Sequence, residues 1–191
     1  TPDSKAAPFS GYLRTNLPVA SSAGKNLVIA KGGDTMAYGA LYAQYRAQMA
    51  DIKAESCDAV SIEKRTWVKR NGEWMAADSL AVGDRVKVEL LIKSTRDMDY
   101  VAITDQRAAC LEPVEQLPQP LISEGIYFYR ENLDAETRIF VNRLPRGTYR
   151  LEYELFVNNA GSFTTGIATI QSQYAPQLTA HSAGSILTAT F

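Results

Sequence analysis

Histidine and cysteine are almost missing from this chain of 191 residues, which has one histidine, His181, and two cysteines, Cys57 and Cys110. A zinc site needs three or four nitrogen and sulfur ligands at short spacings, and these three scattered residues do not supply them. Two cysteines permit one bridge but no disulfide framework. Neither sign of charge is in excess: 20 Lys and Arg stand against 21 Asp and Glu, and basic residues run no further than pairs such as Lys64-Arg65 and Lys69-Arg70. Nucleic acid binding requires a clustered cationic face, so it is excluded. Apolar runs of the roughly 20 residues that span a bilayer are missing too, and direct membrane insertion is not expected. The lack of any Asn-x-Ser/Thr acceptor speaks against a glycosylated surface protein. The chain opens on Thr1-Pro2-Asp3-Ser4, with no Met, basic patch or apolar signal segment, and reads as an internal or processed piece.

What is present suffices for a folded core. With 46% hydrophobic and 21% charged residues, a chain of this length buries about 70% of the surface its unfolded form exposes, and needs neither metal nor disulfide to do so. Residues 1–26 hold Pro2, Pro8, Pro18, Gly11 and Gly24 among many Ser and Ala, the composition of an extended lead-in. Proline is then absent from Asn26 to Pro113, and period-two alternation takes over. Val60, Ile62, Thr66 and Val68 share one face, and Glu63, Arg65 and Lys69 the other. Val86, Val88, Leu90 and Ile92 alternate with charged residues, as do Tyr149, Leu151, Tyr153, Leu155 and Val157. Shorter strands are expected at Ile126 to Arg130, Thr137 to Val141, Ser162 to Ile170 and Ser185 to Phe191. Asn71-Gly72 suits a two-residue hairpin, because both central positions want positive φ, and Asn158-Asn159 before Gly161 reads the same way. Short strands punctuated by turns predict an antiparallel β-sandwich.

Two local patterns qualify this. Leu144-Pro145-Arg146-Gly147-Thr148-Tyr149 places Tyr149 just after a corner at Gly147 and at the head of an alternating strand, as in a tyrosine corner, where the phenol bonds back to upstream backbone. In Met36 to Glu55, Leu41, Tyr45, Met49 and Ile52 fall at helical spacing in an Ala-rich stretch, yet Gly39 and the pairs Tyr38/Tyr42 and Leu41/Tyr45 also tolerate a strand. Pattern alone leaves helix and strand open there.

Reactive chemistry is sparse. His181 lies in a run of small residues and is the one imidazole available to a hydrolase using Cys110 or a Ser, an arrangement that also needs an orienting carboxylate and an oxyanion site. Asp97, Asp99 and Asp105 have one strand parity and suggest a carboxylate group or a calcium site, with solvated strand ends beside Arg96 and Arg107 as the simpler reading. Cys110-Leu111-Glu112-Pro113 is half of a Cys-x-Glu-Gln thioester motif, but position 113 is a proline without a side-chain amide and Gln116 is three residues too far. A buried, inert thiol fits better. Tyr127, Phe128 and Tyr129, or Trp67 and Trp74, are candidates for an aromatic binding platform.

Asp97-Met98-Asp99-Tyr100-Val101, Asp105-Gln106-Arg107-Ala108-Ala109-Cys110-Leu111-Glu112-Pro113, Leu144 to Tyr153, and Gly166 to Pro176 together resemble the C-terminal region of bacterial alpha-2-macroglobulin family proteins. The resemblance implies an all-β, antiparallel β-sandwich of fibronectin-III or immunoglobulin-like macroglobulin type with extra N-terminal strands. Residues 1–56 would be an extended lead-in and strands of a neighbouring CUB-like domain, which tips Met36 to Arg46 toward strand. Residues 57–191 would be the C-terminal macroglobulin sandwich. It further implies a non-catalytic docking module, without cofactor or metal, in an extracytoplasmic protease-trapping inhibitor held in the periplasm or cell envelope through upstream sequence. Its partners would be the CUB-like domain, a thioester-type domain and, through the full-length protein, target proteases. The loop of Gln171, Ser172, Gln173, Tyr174, Ala175 and Pro176 would lie over the thioester site of such members. A Met often stands where this chain has Gln173, a departure that leaves open a parent with a weakened or missing thioester. The competing expectation is a stand-alone extracytoplasmic module binding carbohydrate or protein.

Overall fold

The computed structural model of the chain describes residues 14–18, 20, 24, 26, 28–30, 33–34, 36–42, 44–77 and 79–191. Residues 1–44 and 45–191 form separate units. Most of the expected lead-in over 1–26 lies outside the described residues. The described residues of 28–48 are in neither helix nor strand, so those of Met36 to Arg46 take neither the strand that the resemblance favours nor the helix that the spacing allows. The physical reason is visible in the side chains: Tyr38, Leu41, Tyr42 and Tyr45 are exposed, and no strand among the described residues pairs with this stretch. The helical element of residues 45–191 is a single 3-10 turn, Met49–Asp51.

The second unit is built of strands. In chain order they are β1 Val60–Arg70, β2 Glu73–Ala76, β3 Leu80–Ala81, β4 Arg85–Ser94, β5 Met98–Gln106, β6 Leu111–Pro113, β7 Gln119–Ser123, β8 Ile126–Asn132, β9 Glu136–Leu144, β10 Gly147–Val157, β11 Gly161–Thr164, β12 Ala168–Ser172, β13 Thr179–His181 and β14 Ile186–Thr190. A five-stranded sheet runs β2-β1-β4-β10-β6 and a six-stranded sheet runs β13-β12-β5-β9-β8-β7, all antiparallel. A small third sheet, β11-β14-β3, contains the one parallel pairing among the described strands, between β14 and β3.

Alternation decides which side of each ribbon is inside. Ile62, Lys64, Thr66 and Val68 of β1 stand opposite Ile92, Leu90, Val88 and Val86 of β4, and Tyr149, Leu151, Tyr153 and Leu155 of β10 continue the same rows. These apolar side chains and Val101, Ile103, Ile126, Phe128, Ile139, Val141, Ala168 and Ile170 of the other sheet belong to one buried cluster. Burial of this area is the main favourable term in folding, at about 25 cal/mol per Å2. The β1–β2 hairpin turns on Asn71, at φ 51°, and Gly72, at φ 90°, the two left-handed positions that a tight hairpin requires.

Two expectations about turns differ from what is found. Ser162 to Ile170 is not one strand but two: β11 pairs β14, and β12 pairs β5 of the six-stranded sheet. The break is Gly166, at φ 70°, where an added Cβ would lie 2.4 Å from the Cβ of Gln106. Likewise, Asn158-Asn159 does not close a hairpin of β10 on β11, because β11 leaves for the third sheet.

Candidate docking site

The loop between β12 and β13 is held by backbone and side-chain bonds from within and below. The Ser172 hydroxyl donates to the Asp99 carbonyl at 3.1 Å, and the Gln173 amide donates to the Tyr100 carbonyl at 2.9 Å. Tyr100 can receive it because its own backbone is left-handed, at φ 49°. Within the loop, the Leu178 amide donates to Ala175 at 2.8 Å and the Gln171 side chain to the Pro176 carbonyl at 3.3 Å. Tyr174 is thereby held out from the surface, 81% exposed, with its ring edge-on to exposed Tyr100 at a centroid distance of 5.2 Å. Among Gln171, Ser172, Gln173, Tyr174, Ala175 and Pro176, Ser172 alone is buried. Two exposed, mutually supported aromatics present large amphipathic area at little conformational cost, the chemistry of an interface anchor.

The corner before β10 lies close in the chain to β5's partner strand. Tyr149 Oη donates to the Pro145 carbonyl at 2.9 Å, and an added Cβ on Gly147 would sit 3.0 Å from that oxygen. Asp97 caps the same corner, accepting from the Arg146 amide at 2.9 Å and from the Arg143 guanidinium at 3.1 Å. Those two donors hold the Asp97 carboxyl below its usual range.

The three aspartates do not converge. Asp97 serves the corner, Asp99 is exposed, and Asp105, expected at a solvated strand end, is fully buried. Its carboxylate lies 2.6 Å from the Lys64 ammonium and accepts a bond from the Tyr153 hydroxyl. Lys64 also donates to the Gln106 carbonyl at 2.6 Å and the Thr165 carbonyl at 3.1 Å. Burial pushes the Asp105 carboxyl up against the pull of Lys64, and burial with the neighbouring Asp105 raises the Tyr153 phenol well above its usual value. Lys64 of β1 and Tyr153 of β10 belong to one sheet and Asp105 of β5 to the other, so this polar cluster ties the two layers together. Sequence reasoning missed it, although parity signals it: Lys64 shares the face of Val60, Ile62 and Val68, and Asp105 that of Val101 and Ile103.

The remaining candidates are apart. His181 of β13 lies 3.5 Å from the Glu55 carboxylate and contacts the Ser182 carbonyl, while Cys110 is buried with its thiol pKa raised by desolvation. Both cysteines are free thiols. Of the aromatic platforms, Phe128 is buried, and Tyr127 and Tyr129 face outward. Trp74 stands between the ammonium groups of Lys69 and Lys87, at 5.5 and 5.2 Å.

The family described as bacterial alpha-2-macroglobulin MG10 domain matches residues 60–177. The chain belongs to that family. The fold of this MG10 chain is also found in Escherichia coli alpha-2-macroglobulin activated by porcine elastase, with a TM-score of 0.62 and 21% identity over 73% of this chain and 14% of that one. Salmonella alpha-2-macroglobulin reacted with methylamine gives 0.58 and 20%, covering 73% and 10% of the two chains. Circularly permutated Ras protein 2 of Dictyostelium discoideum is 24% identical over an alignment of 150 residues that covers 73% of this chain and 4% of that protein. The MG10 chain thus spans only a small part of each of these relatives. Among its described residues no helix is long and apolar enough to cross a membrane.

Proposed function

We propose that this MG10 domain is a non-catalytic docking module of an extracytoplasmic bacterial alpha-2-macroglobulin that entraps proteases. On this reading residues 1–56 complete a CUB-like neighbour, residues 57–191 are the C-terminal sandwich, and upstream sequence anchors the parent in the periplasm or cell envelope. The observation that carries it is the loop of Gln171 to Pro176: an exposed aromatic pair, Tyr100 and Tyr174, on a segment tied down from Asp99 and Tyr100. Such a surface is ready to meet a partner with little further ordering, which is where binding free energy is otherwise lost. Its partner is the adjoining thioester-type domain of the parent.

Hydrogen exchange of residues 171–178 tests this, measured by mass spectrometry in the isolated chain and in the parent protein. Slower exchange in the parent is expected, and equal exchange refutes docking through this loop. The isolated chain is expected to show no proteolytic or esterase turnover, no methylamine incorporation and no protease adduct that survives denaturation. A denaturation-resistant adduct refutes the non-catalytic reading.

A further inference from the structure

Alternation turns two cations of this sandwich inward. Lys64 is neutralised by Asp105. The other, Arg130 of β8, has the parity of Ile126 and Phe128 and is 8% exposed. Among the described residues its guanidinium forms no hydrogen bond and no ion pair, and of its nitrogens Nε alone is buried without an acceptor. Glu115 acts on it only from beyond ion-pair distance, and burial pushes the guanidinium pKa down. A largely buried cation without a counter-charge is unfavourable, and such groups are ordinarily paired.

Arg130 also lines a cavity of about 380 Å3 between the β7–β8 hairpin and β10. Leu121, Ile122 and Phe128 supply its apolar part, and Ser123, Glu124, Arg150 and Glu152 complete the lining. Arg150 and Glu152 are already engaged, by Glu89 at 3.3 Å and by Lys87 at 3.0 Å. The cavity therefore offers one uncommitted guanidinium fork in a mainly polar lining, with two acids, Glu124 and Glu152, that oppose a multiply charged anion. A planar fork of donors matches a carboxylate bidentately.

We infer that this cavity binds a single carboxylate, with Arg130 as the residue that holds the charge. The group comes either from a small free acid or from an acidic side chain of a polypeptide segment.

The test uses the full chain with 15N-labelled arginine, following the Arg130 Nε–Hε resonance during titration with sodium butyrate, with the blocked dipeptide acetyl-Leu-Glu-amide, and with inorganic phosphate at matched ionic strength. A saturable shift is expected with at least one of the two carboxylates and not with phosphate; the tighter one names the source. Arg130→Met should abolish saturation, melt no lower than the unliganded wild type, and gain no thermal stability from the ligand. Arg130→Lys, which keeps charge without the fork, should bind at least several-fold more weakly. Non-saturating shifts shared with exposed Arg143, a preference for phosphate, or a lower melting temperature for Arg130→Met overturn the proposal, the last by showing that Arg130 is needed for folding alone. These readouts do not depend on the loop of Gln171 to Pro176, so their failure leaves the docking reading standing.

Discussion

Replacing Lys64 by Met takes the cation away from Asp105 while keeping most of the apolar stem. The carboxyl then retains Tyr153 as its donor and remains fully buried. At neutral pH it must carry an uncompensated charge or hold a proton that the unfolded chain would release. The second route sets a ceiling. An unfolded Asp titrates near about 3.9 and each pH unit corresponds to about 1.4 kcal/mol, so holding the proton at pH 7 costs roughly 4 kcal/mol. Wild type already bears part of this, because burial raises Asp105 even with Lys64 beside it. The pH-dependent part of the loss is therefore expected at about 2 to 4 kcal/mol.

The sign follows from linkage. A carboxyl whose folded pKa is raised contributes stability that is complete below its unfolded value and is lost as pH rises through the folded value. In Lys64→Met that folded value is higher still, so the gap from wild type widens as pH rises from the wild-type folded value toward the variant's. Asp105→Asn behaves otherwise. It leaves the ammonium its two carbonyl partners, Gln106 and Thr165, but strips a buried cation of its counter-charge, and should cost about 3 to 5 kcal/mol with little dependence on pH in this range. The double variant, lacking the titrating group, should show no widening of the gap as pH rises. Urea unfolding followed by Trp67 and Trp74 fluorescence at several pH values reads all three. A pH-independent gap for Lys64→Met, or no loss for Asp105→Asn, refutes the reasoning.

Tyr149→Phe should lose about 1 to 2 kcal/mol, the scale of one hydrogen bond and its unmet partner, and so lower the melting temperature by about 2 to 4 °C per kcal/mol; an unchanged midpoint removes the corner from the account. Gly125→Ala, at φ 78° but in open space, should cost about 1 to 2 kcal/mol. Gly166→Ala has the same backbone strain and also the 2.4 Å overlap with Gln106, adding about 1 to 3 kcal/mol; equal urea midpoints for the two variants contradict this. In Ellman titration without reductant, the denatured chain should yield both thiols, and the native chain should withhold buried Cys110. Fewer than two thiols after denaturation would reveal a bridge.

The parts of the sandwich legible in the sequence were those in which one strand carries its own evidence. β4 and β10 alternate without interruption, and Asn71-Gly72 has one conformation that suits it. Where a residue's place depends on a partner far along the chain, reading failed. Nothing within Ser162 to Ile170 reveals that Gln106 crowds Gly166, so a change of sheet looked like continuity. Asp105 reads as a solvated strand-end acid because Arg107 lies beside it in sequence, yet its partner Lys64 comes from a strand of the other layer. The same rule recovers what was missed: a charged residue on the apolar parity of a strand needs an opposite charge, and the search for that charge becomes a prediction of contact. Applied along β1, β5 and β8, it joins Lys64 to Asp105 and finds no carboxylate within ion-pair distance of Arg130. An inward cation whose counter-charge is missing from the described chain is better explained by a ligand than by packing, because a methionine would fill the same space without the desolvation penalty.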